Sequence, residues 1–335
     1  MEDKSVIEVQ NLKAYYVLKS VGKSTVTEIK AVDGVSLYVG RNEILGIAGE
    51  SGCGKSTLIK AMYGLITPPL TVIEGSIIYN SLFEDNETVD LVKFNKNELN
   101  RVWWKYVSYI PQSSMNVLNP VRRIKDQFLD IVKSSYGDIG ERDALNMLVE
   151  HIDRMGLPRE VITSFPHQLS GGMKQRVVIA LATIFKPRVI FADEPTTALD
   201  VVIQRGIIQL LSRIQRELNN TLVVVTHDMG VHAQIASRLA IMYAGKVIEL
   251  GAAYDIFGNP LHPYTKYLIS SLPKIGDKSR KVSIPGKPPS LRNPPSGCRF
   301  HPRCPYAMDE CRLTEPSMME VEHGHYVACH LYWRR

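Results

Sequence analysis

Long apolar stretches are missing from this chain. The longest largely apolar run, residues 177–185, stops well short of the ~20 residues that a membrane-spanning helix needs, so any membrane role is expected to pass through a partner. Blocks of like charge are missing too. The 40 Lys and Arg against 34 Asp and Glu leave a net charge of +6, and the basic residues are scattered. Nucleic acid is therefore not implied, although contact with an anionic membrane surface stays open. There is no heptad array and no internal repeat. A secretory leader is also not visible, because Met1-Glu2-Asp3-Lys4 runs into a polar segment, which reads as a chain that stays in the cytoplasm. Cysteine is scarce through most of the length: Cys53 stands apart, and Cys298, Cys304, Cys311 and Cys329 crowd toward the C-terminus. In a reducing compartment such crowding points to metal binding before disulfides.

With 335 residues, 44% of them hydrophobic, the chain can bury a full core, and two domains or one large domain with an appendage are expected. Residues 6–10, 31–39 and 75–79 read as strands, with Val35, Leu37 and Val39 alternating. Residues 112–172 turn to helical spacing, and short β-branched runs return at 188–192, 221–226 and 239–243. Strand, helix, strand in that order argues a parallel sheet with helices on its faces and a helical block inserted. From Pro260 onward, prolines including Pro273, Pro285, Pro288 and Pro294 mark a boundary and a connector.

The most informative stretch is Gly49-Glu50-Ser51-Gly52-Cys53-Gly54-Lys55-Ser56-Thr57. It lies between a buried-strand pattern and a helix start, the context of a P-loop. Its glycines let the backbone curl so that N–H groups face inward, and the helix dipole adds partial positive charge. Lys55 is placed to reach the β- and γ-phosphates of a nucleotide, and Ser56 to ligate Mg²⁺. Residues 189–194 form an apolar strand ending in Asp193 and Glu194. Acids on a buried strand belong at its carboxyl end, where ligands bind in parallel sheets; Asp193 reads as an organiser of Mg²⁺ and Glu194 as a base for the attacking water. Gln112 and His227 also follow apolar runs and complete the candidate catalytic set. Tyr16 is the candidate for stacking on a purine base, with Tyr15 an equal alternative. Leu169-Ser170-Gly171-Gly172-Met173 opens a helix expected over residues 174–182, a second anion-binding N-terminus; a plain capped helix would explain Ser170 but not both glycines.

The order GESGCGKST, Gln112, LSGGM, VIFADE, TALD and His227 resembles the nucleotide-binding subunit of ABC transporters, over residues 1–260. That resemblance implies an α/β fold: a P-loop ABC-type domain with a parallel-sheet core, an antiparallel β subdomain and a helical subdomain at about residues 113–175 that touches a membrane permease. It implies an ATPase working with ATP and Mg²⁺, bound by residues 49–57 with Ser56, Gln112 and Asp193 around the metal. Two such chains pair head to tail, so that Ser170, Gly171, Gly172 and Asp200 meet the nucleotide of the second ATP-binding subunit, expected to be a different chain. Residues 261–335 look like the extension of the oligopeptide, dipeptide and nickel import branch. There the resemblance implies a [4Fe-4S] cluster on Cys298, Cys304, Cys311 and Cys329, with zinc as an alternative, to which His301, His323, His325 and His330 lie close in sequence; the lack of CxxC pairs argues against zinc.

The function expected is therefore ATP hydrolysis that powers import of peptides, or of oligosaccharides or nickel, at the cytoplasmic face of the membrane, with permease subunits and an extracytoplasmic solute-binding protein as partners. A chromosome-organising ATPase would need a coiled coil between P-loop and LSGGM, where about 110 residues carry no heptads. A redox-sensing iron–sulfur ATPase rests on the cysteines alone.

Overall fold

A computed structural model describes residues 5–19, 26–83, 87–112, 116–136, 139–272 and 284–333. The polar leader at residues 1–4 and Pro273 of the connector lie outside the described residues. The chain divides into two units, residues 1–93 with 225–335, and residues 94–224.

The first unit begins with β1 (Ser5–Lys19) and β2 (Val26–Gly40). On β2, Val35, Leu37 and Val39 are buried while Ser36 and Tyr38 are exposed, the period-2 pattern of a strand with one face on a core. The fully buried β3 (Ile44–Ala48) leads into α1 (Lys55–Tyr63), and β4 (Leu70–Asn80) and β5 (Thr88–Asp90) follow. An antiparallel sheet runs β2-β1-β4-β5, with Val9 facing both Leu37 and Ile77 across the ladder.

In the second unit α2 (Lys96–Val102) opens on a capping box. Asn95 accepts from the N–H groups of Asn97 and Glu98, and the Glu98 carboxylate returns to the Asn95 N–H at 2.7 Å. Then come β6 (Val107–Ile110), α3 (Ile124–Tyr136), α4 (Glu141–Arg154), α5 (Gly171–Thr183), β7 (Val189–Asp193), α6 (Val201–Leu218) and β8 (Thr221–Val225). Strands β6 and β7 pair in parallel, Val107 with Val189 through Ile110 with Ala192. The expected mixed α/β architecture and its helical block are both present.

The chain returns to the first unit through α7 (Met229–Ile235), β9 (Arg238–Tyr243), β10 (Lys246–Ala252), α8 (Ala253–Gly258) and α9 (Pro263–Ser270), ending in α10 (Asp309–Leu313), β11 (Met319–Glu322) and β12 (His325–Val327). Strand β9 is parallel to β3 and antiparallel to β10. The C-terminal extension adds two strands to this sheet, β12 against β10 and β11 against β12. Glu249 of β10 is fully buried, and its carboxylate accepts from the N–H groups of Leu261 and His262 and pairs with His325 Nε2, each at 2.8 Å. A buried carboxylate without such partners would be costly; with them it binds β10, the connector and β12 together.

Burial pushes the pKa values of His151, His232 and His262 from 6.5 down to about 4. The folded state therefore needs these rings neutral, whereas the unfolded chain takes up protons below pH 6.5. Their contribution is full above that value and is lost as pH falls toward 4. Thermal unfolding followed from pH 7 to pH 4 should show Tm declining through this window, and a flat Tm would exclude the account.

Candidate functional site

The glycine-rich loop leaves β3 and closes on α1 in the first unit. Gly49, Gly52 and Gly54 have φ of 150°, 78° and 109°, the region that favours glycine. Two of them are also hemmed in. A Cβ on Gly49 would stand 2.2 Å from the Met242 carbonyl oxygen, and one on Gly54 would stand 1.9 Å from that of Ala31. Buried Lys55 folds back over the loop, its Nζ donating to the carbonyls of Gly49 at 2.8 Å and Glu50 at 3.0 Å. A buried ammonium at the mouth of a helix, with backbone curled around it, is a site for phosphate oxygens. Cys53 is buried, with burial raising its thiol pKa, and its carbonyl accepts from the Gly245 N–H at 2.8 Å.

Burial distinguishes the two tyrosines. Tyr15 points inward, its hydroxyl donating to Asp33 at 2.5 Å. Tyr16 is the outer one, with its hydroxyl 3.2 Å from Thr57 Oγ1. His227 is exposed, just before the Asp228 cap of α7.

In the second unit Asp193 is buried at the carboxyl end of β7, and the Tyr109 hydroxyl donates to it at 2.9 Å. Glu194 follows with φ of 46°, a left-handed conformation that costs a non-glycine residue about 1–3 kcal/mol and clusters at working sites. Its Oε2 accepts from Gln112 Nε2 at 3.2 Å and from Thr197 Oγ1 at 2.8 Å. The structure thus brings Gln112 and Glu194 together across the β6–β7 pair. Helix α5 starts at Gly171, three residues before the expected Lys174, because Ser170 caps it by accepting from the Met173 N–H at 3.3 Å. Gly172 has a packing reason as well: a Cβ there would lie 2.8 Å from Ile203 Cγ2. Asp200 caps α6 by accepting from Val202 and Ile203.

These paired elements match a known family along nearly the whole sequence. Residues 32–197 fit the ABC transporter model, and residues 248–311 fit that of the oligopeptide/dipeptide transporter C-terminal region. A dipeptide transport ATP-binding protein DppD of Caldanaerobacter subterraneus is 40% identical over 98% of this chain and 97% of that protein. The chain belongs to the ABC transporter ATP-binding family. An oligopeptide transport ATP-binding protein AppD of Bacillus subtilis is 38% identical over 98% of the chain and 97% of its own length. Among solved structures, the dimeric MJ0796 ABC transporter cassette aligns with TM-score 0.62 and 27% identity, covering 74% of this chain and 98% of that one. The same cassette in a post-hydrolysis state bound to ADP and Pi gives 0.61 over the same shares.

No helix among the described residues is long and apolar enough to cross a membrane. The cysteine expectation is not supported by the arrangement of side chains. Cys298 lies within electrostatic reach of Cys304, Cys311 and Cys329, yet among the described residues no group of three or more His, Cys, Asp or Glu side chains is arranged to hold a metal ion. Burial raises the Cys298 thiol to about 12 and the Cys329 thiol to about 11, with the neighbouring cysteines adding to the shift. Among the histidines close in sequence, His325 Nε2 pairs with Glu249, His330 Nε2 with the Thr314 carbonyl and His301 Nδ1 with the Cys298 carbonyl. Among the described residues, then, nothing adds support to the [4Fe-4S] or zinc reading.

Sequence reasoning missed three residues that touch the loop or its supports. Arg303 grips Glu50, the Tyr264 hydroxyl accepts from the Glu50 N–H at 2.8 Å, and Arg299 pairs with Asp33. The available signal was two arginines four apart in a short segment otherwise made of Cys, Pro, His and Phe.

Because the Ala31 carbonyl occupies the space beside Gly54, Gly54→Ala should deform the loop and lower stability by about 2 kcal/mol or more. Thermal melting and nucleotide titration check both effects; an unchanged protein would show that the loop tolerates a side chain there.

Proposed function

We propose that this chain is the ATP-hydrolysing subunit of a peptide importer, seated on the cytoplasmic face of the membrane against a permease that receives solute from an extracytoplasmic binding protein. The observation that carries the reading is the phosphate loop, whose Gly49 and Gly54 leave no room for a Cβ, in a chain similar along almost its full length to a dipeptide transport ATP-binding protein. The named relatives favour peptides over oligosaccharides or nickel.

In this reading residues 49–57 bind the nucleotide phosphates, Lys55 neutralises their charge and Tyr16 packs on the base. Ser56, Gln112 and Asp193 would hold Mg²⁺, which supplies charge neutralisation on the phosphates when bound. Glu194 takes a proton from the attacking water while Gln112 and Thr197 fix its carboxylate, and His227 donates toward the γ-phosphate. Ser170, Gly171, Gly172 and Asp200 serve the nucleotide of a second ATP-binding subunit, so that ATP joins two cassettes. Dimeric form in the MJ0796 cassette supports that pairing. The helical unit offers the permease a cleft of about 320 Å³ lined by Trp104, Val117, Leu118, Ile131 and Leu181. Val117 and Val121 stand exposed near it at 56% and 79%, suited to an amphipathic cytoplasmic segment of the permease.

Glu194→Gln keeps shape and hydrogen bonding but removes the basic oxygen. ATP should still bind, while turnover in the assembled complex falls about 10²- to 10⁴-fold. Near-normal hydrolysis would reject Glu194 as the base. Ser170→Arg in the same background should prevent ATP-dependent pairing without weakening nucleotide binding to the single chain, read by light scattering.

A further inference from the structure

We propose that Arg299 and Arg303 form a two-pronged clamp by which the C-terminal extension sets the shape and charge of the nucleotide site, making both of them positioning residues for ATP. The inference rests on the ATP-binding reading above and adds a role for the extension.

Both guanidinium groups are buried, 8% and 7% exposed, and a buried charge persists only when paired and hydrogen-bonded. Arg303 is fully engaged. Its NH1 and NH2 donate to the two carboxylate oxygens of Glu50 at 2.7 and 3.0 Å, Nε donates to the Pro285 carbonyl at 2.6 Å, and NH1 also reaches the Tyr243 hydroxyl at 3.2 Å. Glu50 is the second residue of the phosphate loop. Its N–H donates to the Tyr264 hydroxyl, and its carbonyl accepts from Lys55 Nζ at 3.0 Å. The line Arg303, Glu50, Lys55 therefore ends on the ammonium that meets phosphate.

The second prong runs through Arg299, which donates to Asp33 and to the Ala244 carbonyl. Asp33 holds the Tyr15 hydroxyl, next to Tyr16, and its N–H donates to the Gly245 carbonyl at 2.9 Å. The Gly245 N–H in turn donates to the Cys53 carbonyl of the phosphate loop at 2.8 Å. Both prongs thus arrive at the same loop, at Glu50 and at Cys53.

The charge of Glu50 distinguishes positioning from ordinary packing. A carboxylate in a phosphate-binding loop repels the ligand unless it is neutralised, and Arg303 supplies the opposite charge bidentately. Removing the arginine exposes the nucleotide to that carboxylate, and the penalty grows with phosphate charge.

The test is titration of the full chain with a fluorescent methylanthraniloyl-ATP and Mg²⁺, and with its ADP counterpart. Arg303→Gln should raise the Kd for the ATP probe about ten-fold and that for the ADP probe less. Adding Glu50→Gln should return it to within about two-fold of wild type, a non-additivity expected only of directly coupled residues. Arg299→Gln should weaken binding without being rescued by Glu50→Gln. Arg303→Lys, which keeps the charge but not the fork, should stay within about three-fold and serves where the Gln variant does not fold. Wild-type affinity in Arg303→Gln, equal losses for both nucleotides, or a loss that Glu50→Gln does not rescue would overturn the clamp. Lys55→Ala separates the two claims: a wild-type chain binding no better than Lys55→Ala overturns the ATP-site reading and the clamp with it.

Discussion

The carbonyl oxygens of Ala31 and Met242 bear on the phosphate loop so closely that positions 54 and 49 admit no Cβ. Much else in the first unit follows from that constraint. Ala31 belongs to β2 and Met242 to β9, so the antiparallel sheet and the β3–β9 sheet both have to be in place before the loop has its shape. The curl that turns the loop carbonyls toward Lys55 is stabilised from outside the loop. A glycine-rich turn in isolation would lose this conformation to backbone entropy, since glycine has more freedom to lose than any other residue.

The extension is part of that support. Its Phe300 joins the core that contains Ala48, Leu239 and Ile241, with Tyr243 and Tyr264 ring centroids 5.2 and 5.5 Å away. The segment therefore shares the main core and does not have to build one of its own. A small cysteine-rich tail with little apolar area ordinarily needs a metal or disulfides to hold it. This one is held by aromatic packing, by the two strands β11 and β12 and by the fully buried Glu249 with its three partners.

Features that depend on local chemistry were legible in the sequence. The glycines of residues 49–54 announced their positive φ through the strand-loop-helix context, β7 announced its acidic end through an unbroken apolar run, and the helical block appeared in the spacing of residues such as Leu148 and Ile152. Features that depend on distant partners were not. Arg299 and Asp33 are 266 residues apart, and Arg303 and Glu50 are 253 apart, so no local pattern links them. Strands β11 and β12 are four and three residues long, too short for a period-2 signal. Which of Tyr15 and Tyr16 lies inward depends on the ring that β1 directs into the core, and the bulges along β1 shift its register, so alternation alone does not decide it.

The capping and functional readings of Ser170 are often weighed as alternatives, but hydroxyl chemistry makes them compatible. In capping α5, Ser170 Oγ accepts a hydrogen bond from the Met173 N–H, which uses a lone pair and leaves the O–H as a donor. A phosphate oxygen accepts and never donates. The cap therefore orients the hydroxyl without consuming the group that an anion requires, and it sets that donor at the positive end of the helix dipole. Gly171 and Gly172 then keep the first turn free of side chains, one of them also because Ile203 fills the space behind it. The cap that stabilises the helix is thus compatible with the phosphate contact proposed for the same serine.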